Sequence, residues 1–300
     1  MKKNAFNRLT SRKSTGDVLF DVANVTILAL FAFCFAFPVF IVFMQSFVSE
    51  AEAIAKAGQF IMIPDKFDTT AYELLLSKGT TIVNAYWITI KRVVCGVAVQ
   101  LFFTCTMAYA LSKQKLPGRN AIIALINVAI VFPAPLVPLF LLVRNLDLYN
   151  NFWSMILPFA INSVYIFIMK AFYQQLPDGI EEAAEIDGCN QFQLFTKIAL
   201  PLSKPGMVTV GLMYGVWHWN EWYYSSLFIG DSTKRPLQNI MQGIISSANA
   251  TDLNIIAESL PPINTLRCAV IMISIIPILC IYPFLQKHFA KGFLIGSVKG

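Results

Sequence analysis

The sequence predicts an all-α, polytopic membrane protein with six transmembrane helices, and three observations carry that expectation. The chain of 300 residues is 56% hydrophobic and only 13% charged, with a mean hydropathy of +0.61, where a soluble domain carries about 25% charged residues. Its apolar runs reach the length of about 20 residues that crosses roughly 30 Å of hydrocarbon. Its lysines and arginines gather beside alternate run ends, as the positive-inside rule requires of a multi-pass chain.

The first run, 22–49, follows Lys2, Lys3, Arg8, Arg12 and Lys13. It is too long for a signal-peptide core of about 7–15 residues and is expected to be a retained anchor. The others are 93–112, 121–143, 152–169, 206–230 and 268–285. Six crossings put both termini on one side, together with Lys113, Lys115, Arg119, Lys287, Lys291 and Lys299, so both termini are expected in the cytoplasm of a bacterial cell membrane. Juxtamembrane lysines facing anionic lipid account for the net charge of +6, and no nucleic-acid partner is needed. Cys34, Cys95, Cys105, Cys268 and Cys280 lie in expected spans and Cys189 in an interior loop, without a CxxC pair. They read as reduced structural thiols, with no metal site.

Between the first two runs, Asp68 is placed to cap a short amphipathic helix carrying Tyr72, Leu74 and Leu75. Lys91 and Arg92, at the start of the second run, are expected to snorkel outward. Pro133, Pro135 and Pro138 must bend the third run, either as a structural kink or as a bend lining a pathway. The fifth ends in VWHWNEWYYSS, 216–226, where Trp217, Glu221 and Tyr224 share a helical face. An aromatic interfacial belt explains this stretch. So does a sugar site, with rings stacking on pyranose faces while Asn220 and Glu221 bond hydroxyls. The loop 231–264 is polar, looks like a docking loop, and carries no catalytic set.

One segment departs from the oily character of the rest. Asp178, Glu181, Glu182, Glu185 and Asp187 fall within ten residues. Asp178 and Glu181 suit a reciprocal helix cap, Gly188 a left-handed stop, and Asn190 the cap of a second helix closed by Pro201 and Pro205. Two short helices, 179–187 and 191–200, follow. Ala183 and Ala184 leave one side thin enough to enter a groove, and the acids keep the element off an anionic bilayer.

Glu182, Ala183, Ala184, Gly188, Ile198, Leu200 and Pro201 fit the pattern EAA-x3-G-x9-I-x-L-P without a gap. In this the chain resembles the membrane subunits of bacterial ABC importers, and within them the second permease of maltose and multi-sugar systems, particularly permeases for complex oligosaccharides or polysaccharides. AYALSKQKLPGRN at 108–120, VPLFLLVRNLDLYN at 137–150 and KGFLIGSVKG at 291–300 extend the likeness over 84–300. Cys189 stands where that branch more often has a small residue.

The resemblance implies a type I ABC importer permease fold: a cytoplasmic N-terminus 1–21, a first helix 22–49, an extracytoplasmic loop 50–83, a core 84–286 with a coupling loop 177–206, and a cytoplasmic tail 287–300. It implies that Glu181, Glu182, Ala183, Ala184, Asp187, Gly188, Ile198, Leu200 and Pro201 couple to an ATPase. Trp217, Asn220, Glu221, Tyr224, Pro133 and Pro135 are the candidates for a substrate pathway. Implied partners are a second homologous permease, two ATPase subunits, an extracytoplasmic solute-binding protein, membrane lipid, and a sugar or oligosaccharide.

The chain has no G-x-x-x-x-G-K-[ST] loop, so ATP and Mg are expected on the partner ATPases, with no cofactor on this chain and no enzymatic activity of its own. A self-contained ion-coupled transporter would need ionisable groups at mid-membrane, where the runs offer only His218 and Glu221 toward one end. A membrane hydrolase would need more than His218 and His288.

Overall fold

A computed structural model of the chain describes residues 15–57, 59–77, 81–246 and 262–297, with side chains described as far as residue 280 apart from that of Asp178. The basic N-terminal residues, 247–261 of the loop after the fifth run, and the side chains of Lys287, Lys291 and Lys299 lie outside what is described. The described residues are helical, with no strand among them. In order they form α1 (Thr15–Gln45), α2 (Glu50–Ala55), α3 (Thr70–Leu76), α4 (Thr81–Ser112), α5 (Arg119–Val131), α6 (Leu136–Asn145), α7 (Ser163–Tyr173), α8 (Asp178–Ile186), a mixed-pitch segment at 191–202, α9 (Lys204–Asn220), α10 (Tyr223–Phe228), α11 (Leu237–Ser246) and α12 (Ile263–Ser297).

Two compact units result: Met1–Tyr72 with Ile256–Met272, and Glu73–Ile255 with Ile273–Gly300. In the first, α1 starts earlier than the apolar run suggests and buries none of its residues within the chain, as befits a helix solvated by lipid or by another subunit. The segment after it folds on itself. Glu52 caps the backbone of Asp65, Lys56 bridges Glu52 and Asp65, and Phe47 packs on Phe67 and Tyr72. The expected cap at Asp68 forms: its carboxylate accepts from the backbone N–H of Thr70 at 2.8 Å.

The second unit is organised on α4. Ile82, Ala85, Thr89, Arg92, Gly96, Gln100, Thr104, Ala108 and Leu111 are buried, a stripe at spacings of three and four that faces α7 and α9. Gly96 permits the closest approach, since a Cβ there would lie 2.1 Å from the His218 ring of α9. At one end Tyr109, Ile126, Met169, Tyr173 and Ala199 form an apolar core.

Among the described residues three helices, Thr15–Gln45, Thr81–Ser112 and Ile263–Cys280, are long and apolar enough to cross a membrane, and the number rises to five if each of two bent pairs is one span. The third apolar run is α5 and α6 meeting at 114°. Pro133 and Pro135 lie in this break, so it is far sharper than a kink. The fourth run opens as 3-10 turns, Phe152–Met155 and Leu157–Phe159, before bending 57° into α7. The fifth run is α9, 17 residues and about 26 Å long, which stops at Glu221 before α10. On length alone it falls short of the sixth crossing.

Candidate functional site

Two regions hold the residues singled out from sequence. The first is the acidic segment. α8 begins at Asp178 with Pro177 in the cap position, and the side chain of Asp178, on which the expected capping box with Glu181 depends, lies outside what is described. Proline presets the backbone angle of the cap but has no side chain to accept a bond. Glu181 pairs with Lys113 of α4, whose ammonium also lies 4.4 Å from the centre of the Tyr109 ring.

The helix ends as its sequence requires. Gly188 takes φ +84°, its N–H bonds the Glu185 carbonyl at 3.0 Å, and that of Cys189 bonds the Ala184 carbonyl at 2.9 Å, the paired closure of a Schellman motif. Asn190 and Gln193 then form a reciprocal capping box. The second helix is not uniform, for Leu194–Ala199 is π-helical, a rare pitch.

Leu194 and Ala199 anchor this segment inward, and Phe195 packs 5.0 Å from Tyr109. Ala184 is buried against the chain itself, so only Ala183 of the two alanines leaves an exposed thin surface. Glu182, Asp187 and Gly188 are exposed, as is Pro201, while Ile198 and Leu200 are half-buried. Two large apolar side chains that the sequence reading passed over stand out: Ile186 is 86% exposed and Phe192 74%. Their signal was available, since each occupies the position flanking a helix stop or start in an otherwise polar stretch.

The second region lies where α9 ends. Glu221 adopts an extended backbone as the C-terminal cap of α9. Arg92 of α4, with no exposed surface, donates from Nη2 to Glu221 Oε2 at 2.6 Å and from Nη1 to the Glu221 carbonyl and to Ser225 Oγ, both at 2.9 Å. Ser225 Oγ donates to Glu221 Oε2 at 2.8 Å, and the Tyr224 N–H to Oε1 at 2.5 Å. Both oxygens are therefore occupied, and the carboxylate caps the start of α10.

Arg92 accordingly does not snorkel. A charge inside a low-dielectric bundle is stable only when paired and hydrogen-bonded, and Glu221, 129 positions away in sequence, supplies both. Nothing local to KRVV marks this pairing. The only hint was the converse need of Glu221, an acid within an apolar run, for a cation.

Around this lock runs an aromatic cleft. A cavity of about 230 Å³ is lined by Gln100, Asn162, Tyr165, Tyr214, Trp217 and Tyr224 among others. An adjoining one of about 450 Å³ shares Tyr165, Trp217 and Tyr224 and adds Asn220 and Glu221. Trp217, Asn220, Glu221 and Tyr224 thus line one cleft, whereas Pro133 and Pro135 line neither cavity.

Its polar walls are held in place. Gln100 donates to the Phe159 carbonyl at 2.7 Å and bonds His218 Nε2 at 2.9 Å, and the Tyr214 hydroxyl meets Thr104 at 2.7 Å. Trp217 and Tyr224 both pack on Phe159, at 5.1 and 4.6 Å between ring centres. Asn220 donates to the Val216 carbonyl at 2.8 Å, which leaves its amide oxygen available. Ring faces with a few oriented polar groups can hold a flat, hydroxyl-bearing molecule. Sequence reasoning missed Gln100, Tyr165 and Tyr214, which reach the cleft from three different helices.

Apolar helices long enough to cross a bilayer, with a doubly capped element beside them, suit a membrane protein that meets a partner. Residues 100–295 match the family described as the binding-protein-dependent transport system inner membrane component, and the chain belongs to it. It is a non-catalytic permease subunit of an ABC importer, with the type I importer permease fold.

Among its relatives, Protein LplC of Bacillus subtilis is 42% identical over 94% of this chain and 95% of its own length. The polygalacturonan/rhamnogalacturonan transport system permease protein YtcP of the same organism is 39% identical, over 94% and 99%. A solved structure of a bacterial ABC transporter involved in the import of the acidic polysaccharide alginate contains a similar chain. The match has a TM-score of 0.84 and 31% identity, covering 93% of this chain and all of that one.

Proposed function

We propose that this permease forms half of the membrane pathway for a sugar or oligosaccharide, completed by a second homologous permease. It works with two ATPase subunits that bind ATP and Mg and with an extracytoplasmic solute-binding protein. Its termini face the cytoplasm, on the side of Lys113, Lys115 and Arg119. The 181–201 helices seat in the ATPase and move as one body with it, through Glu181, Glu182, Ala183, Asp187 and Gly188 and the closing residues Ile198, Leu200 and Pro201. Ala184 serves that element from within. Substrate passes the aromatic cleft, where Trp217, Tyr224 and Asn220 contact it and Glu221 fixes the wall. The sugar class rests on the relatives that transport polygalacturonan and alginate and on the chemistry of the cleft.

One observation carries the coupling assignment: a segment closed by a Schellman motif and a capping box leaves Ile186 and Phe192 almost bare in water. Rigid ends around two exposed apolar side chains six positions apart suit a protein partner, because removing their area from water on docking is favourable. Gly188→Pro and Glu182→Arg are expected to leave the chain in the membrane, abolish uptake and release the ATPase on purification. Normal uptake with normal ATPase co-purification in both variants would refute the assignment. Trp217→Ala is expected to slow oligosaccharide uptake while the assembly stays intact, and unchanged uptake kinetics would return the cluster to an interfacial belt.

A further inference from the structure

Lys91 and Arg92 are neighbours on α4 and meet opposite fates. Arg92 turns into the bundle and is neutralised by Glu221. Lys91 is exposed and has no acidic partner among the described residues. It stands at the edge of a cavity of about 370 Å³ lined by Ile88, Lys91, Cys95, Phe152, Met155 and Lys234. Ile88, Lys91 and Cys95 are one stripe of α4, at i, i+3 and i+7.

The second lysine is brought there by the fold. The 3-10 turn Ser232–Lys234 is tied to α4 by Asn84, which donates to the Thr233 carbonyl at 2.6 Å, while Thr89 holds the N–H of Leu237 at 2.8 Å. The nearest acid, Asp231, caps that same turn through the N–H and hydroxyl of Thr233 and reaches Lys234 only at 3.6 Å. Two lysines therefore line one cavity whose remaining walls are aliphatic, aromatic and sulfur, on a helix long and apolar enough to cross a bilayer.

We infer that this cavity binds an anionic phospholipid, the headgroup phosphate between Lys91 and Lys234 and the start of an acyl chain against Ile88, Cys95, Phe152 and Met155. The charge complementarity selects an anion, and the apolar walls select one that carries hydrocarbon. A sugar acid or free phosphate would leave those walls uncovered and would find few hydrogen-bonding groups besides the lysines. Which leaflet supplies the lipid rests on the orientation proposed above; the cavity itself does not.

The test uses the assembled importer in detergent, exchanged into phosphatidylglycerol or phosphatidylcholine. Lipid retention is read by native mass spectrometry and alkylation of Cys95 by peptide mapping. Phosphatidylglycerol is expected to be retained preferentially and to slow Cys95 alkylation. Lys91→Gln with Lys234→Gln is expected to reduce the preference roughly 25-fold, at about fivefold per juxtamembrane lysine, and Lys91→Arg with Lys234→Arg to keep it.

Equal retention of the two lipids by the unaltered assembly would overturn the inference, as would an equal loss on Lys197→Gln at the distant acidic segment. Protection of Cys95 by glycerol phosphate or by a galacturonate oligomer, and not by the lipid, would overturn it in favour of a soluble anion. Lipid preference without any sugar uptake would sink the transport reading and leave the lipid site standing.

Discussion

The core and the acidic segment treat charge in opposite ways. In the core, Arg92 and Glu221 are buried and bond each other, Ser225 and the backbone at the α9–α10 break. In the segment 178–202, Glu182 and Asp187 are exposed, and two large apolar side chains, Ile186 and Phe192, are exposed beside them. The difference separates two jobs. A consumed charge fixes internal geometry, here the wall of the cleft, whereas groups left unspent by an otherwise well-capped element are available to another protein.

That contrast can be broken at several points. The largest effect is expected from Glu221→Ala, which strands a wholly buried guanidinium at a cost of about 3–5 kcal/mol. Thermal unfolding of the purified chain in detergent would report it, and Arg92→Leu combined with Glu221→Leu should recover much of the loss. A single variant that melts like the parent would mean that the pair holds nothing. Gly96→Val should cost roughly 1–3 kcal/mol, because its first added carbon meets the His218 ring and the helices must part. The same melting curve checks it, with Gly215→Ala, where a Cβ meets nothing closer than 3.8 Å, as the mild reference.

Gly188→Ala isolates backbone strain, since its Cβ would find open space but φ +84° is unfavourable for an L-residue. The expected loss is about 1–2 kcal/mol. Smallest on stability, and sharpest for the comparison, is Ile186→Ser with Phe192→Ser. The change in unfolding free energy should stay within about 0.5 kcal/mol while ATPase co-purification is lost. A large drop in stability instead would show these side chains to be spent within the chain, like those of the core.

Local signals were legible in the sequence and long-range ones were not. The stop at Gly188 and the cap at Asn190 depend on residues within a few positions, and both form as read. The break at Pro133 and Pro135 likewise follows from missing backbone donors. The start of α8 falls one residue earlier than read, with Pro177 in the cap position. The pairing of Arg92 with Glu221 and the meeting of Gln100, Tyr165 and Tyr214 at one cleft are products of helix packing, and no window of sequence contains them. Ala184 shows the limit of small-residue reasoning: alanine suits a groove in a partner and a seat in its own chain equally well.

The π-helical turn at Leu194–Ala199 has a consequence for how the family could vary. A turn closed by i→i+5 bonds holds one residue more than an α-turn, so it is equivalent to an insertion absorbed without unwinding the helix. Deleting a single residue there would restore ordinary pitch and leave Phe192 and Leu200 facing nearly as they do now. A lineage that lacks the extra residue would present the same flanking side chains to whatever sits below, so one motor subunit could engage both lengths of helix.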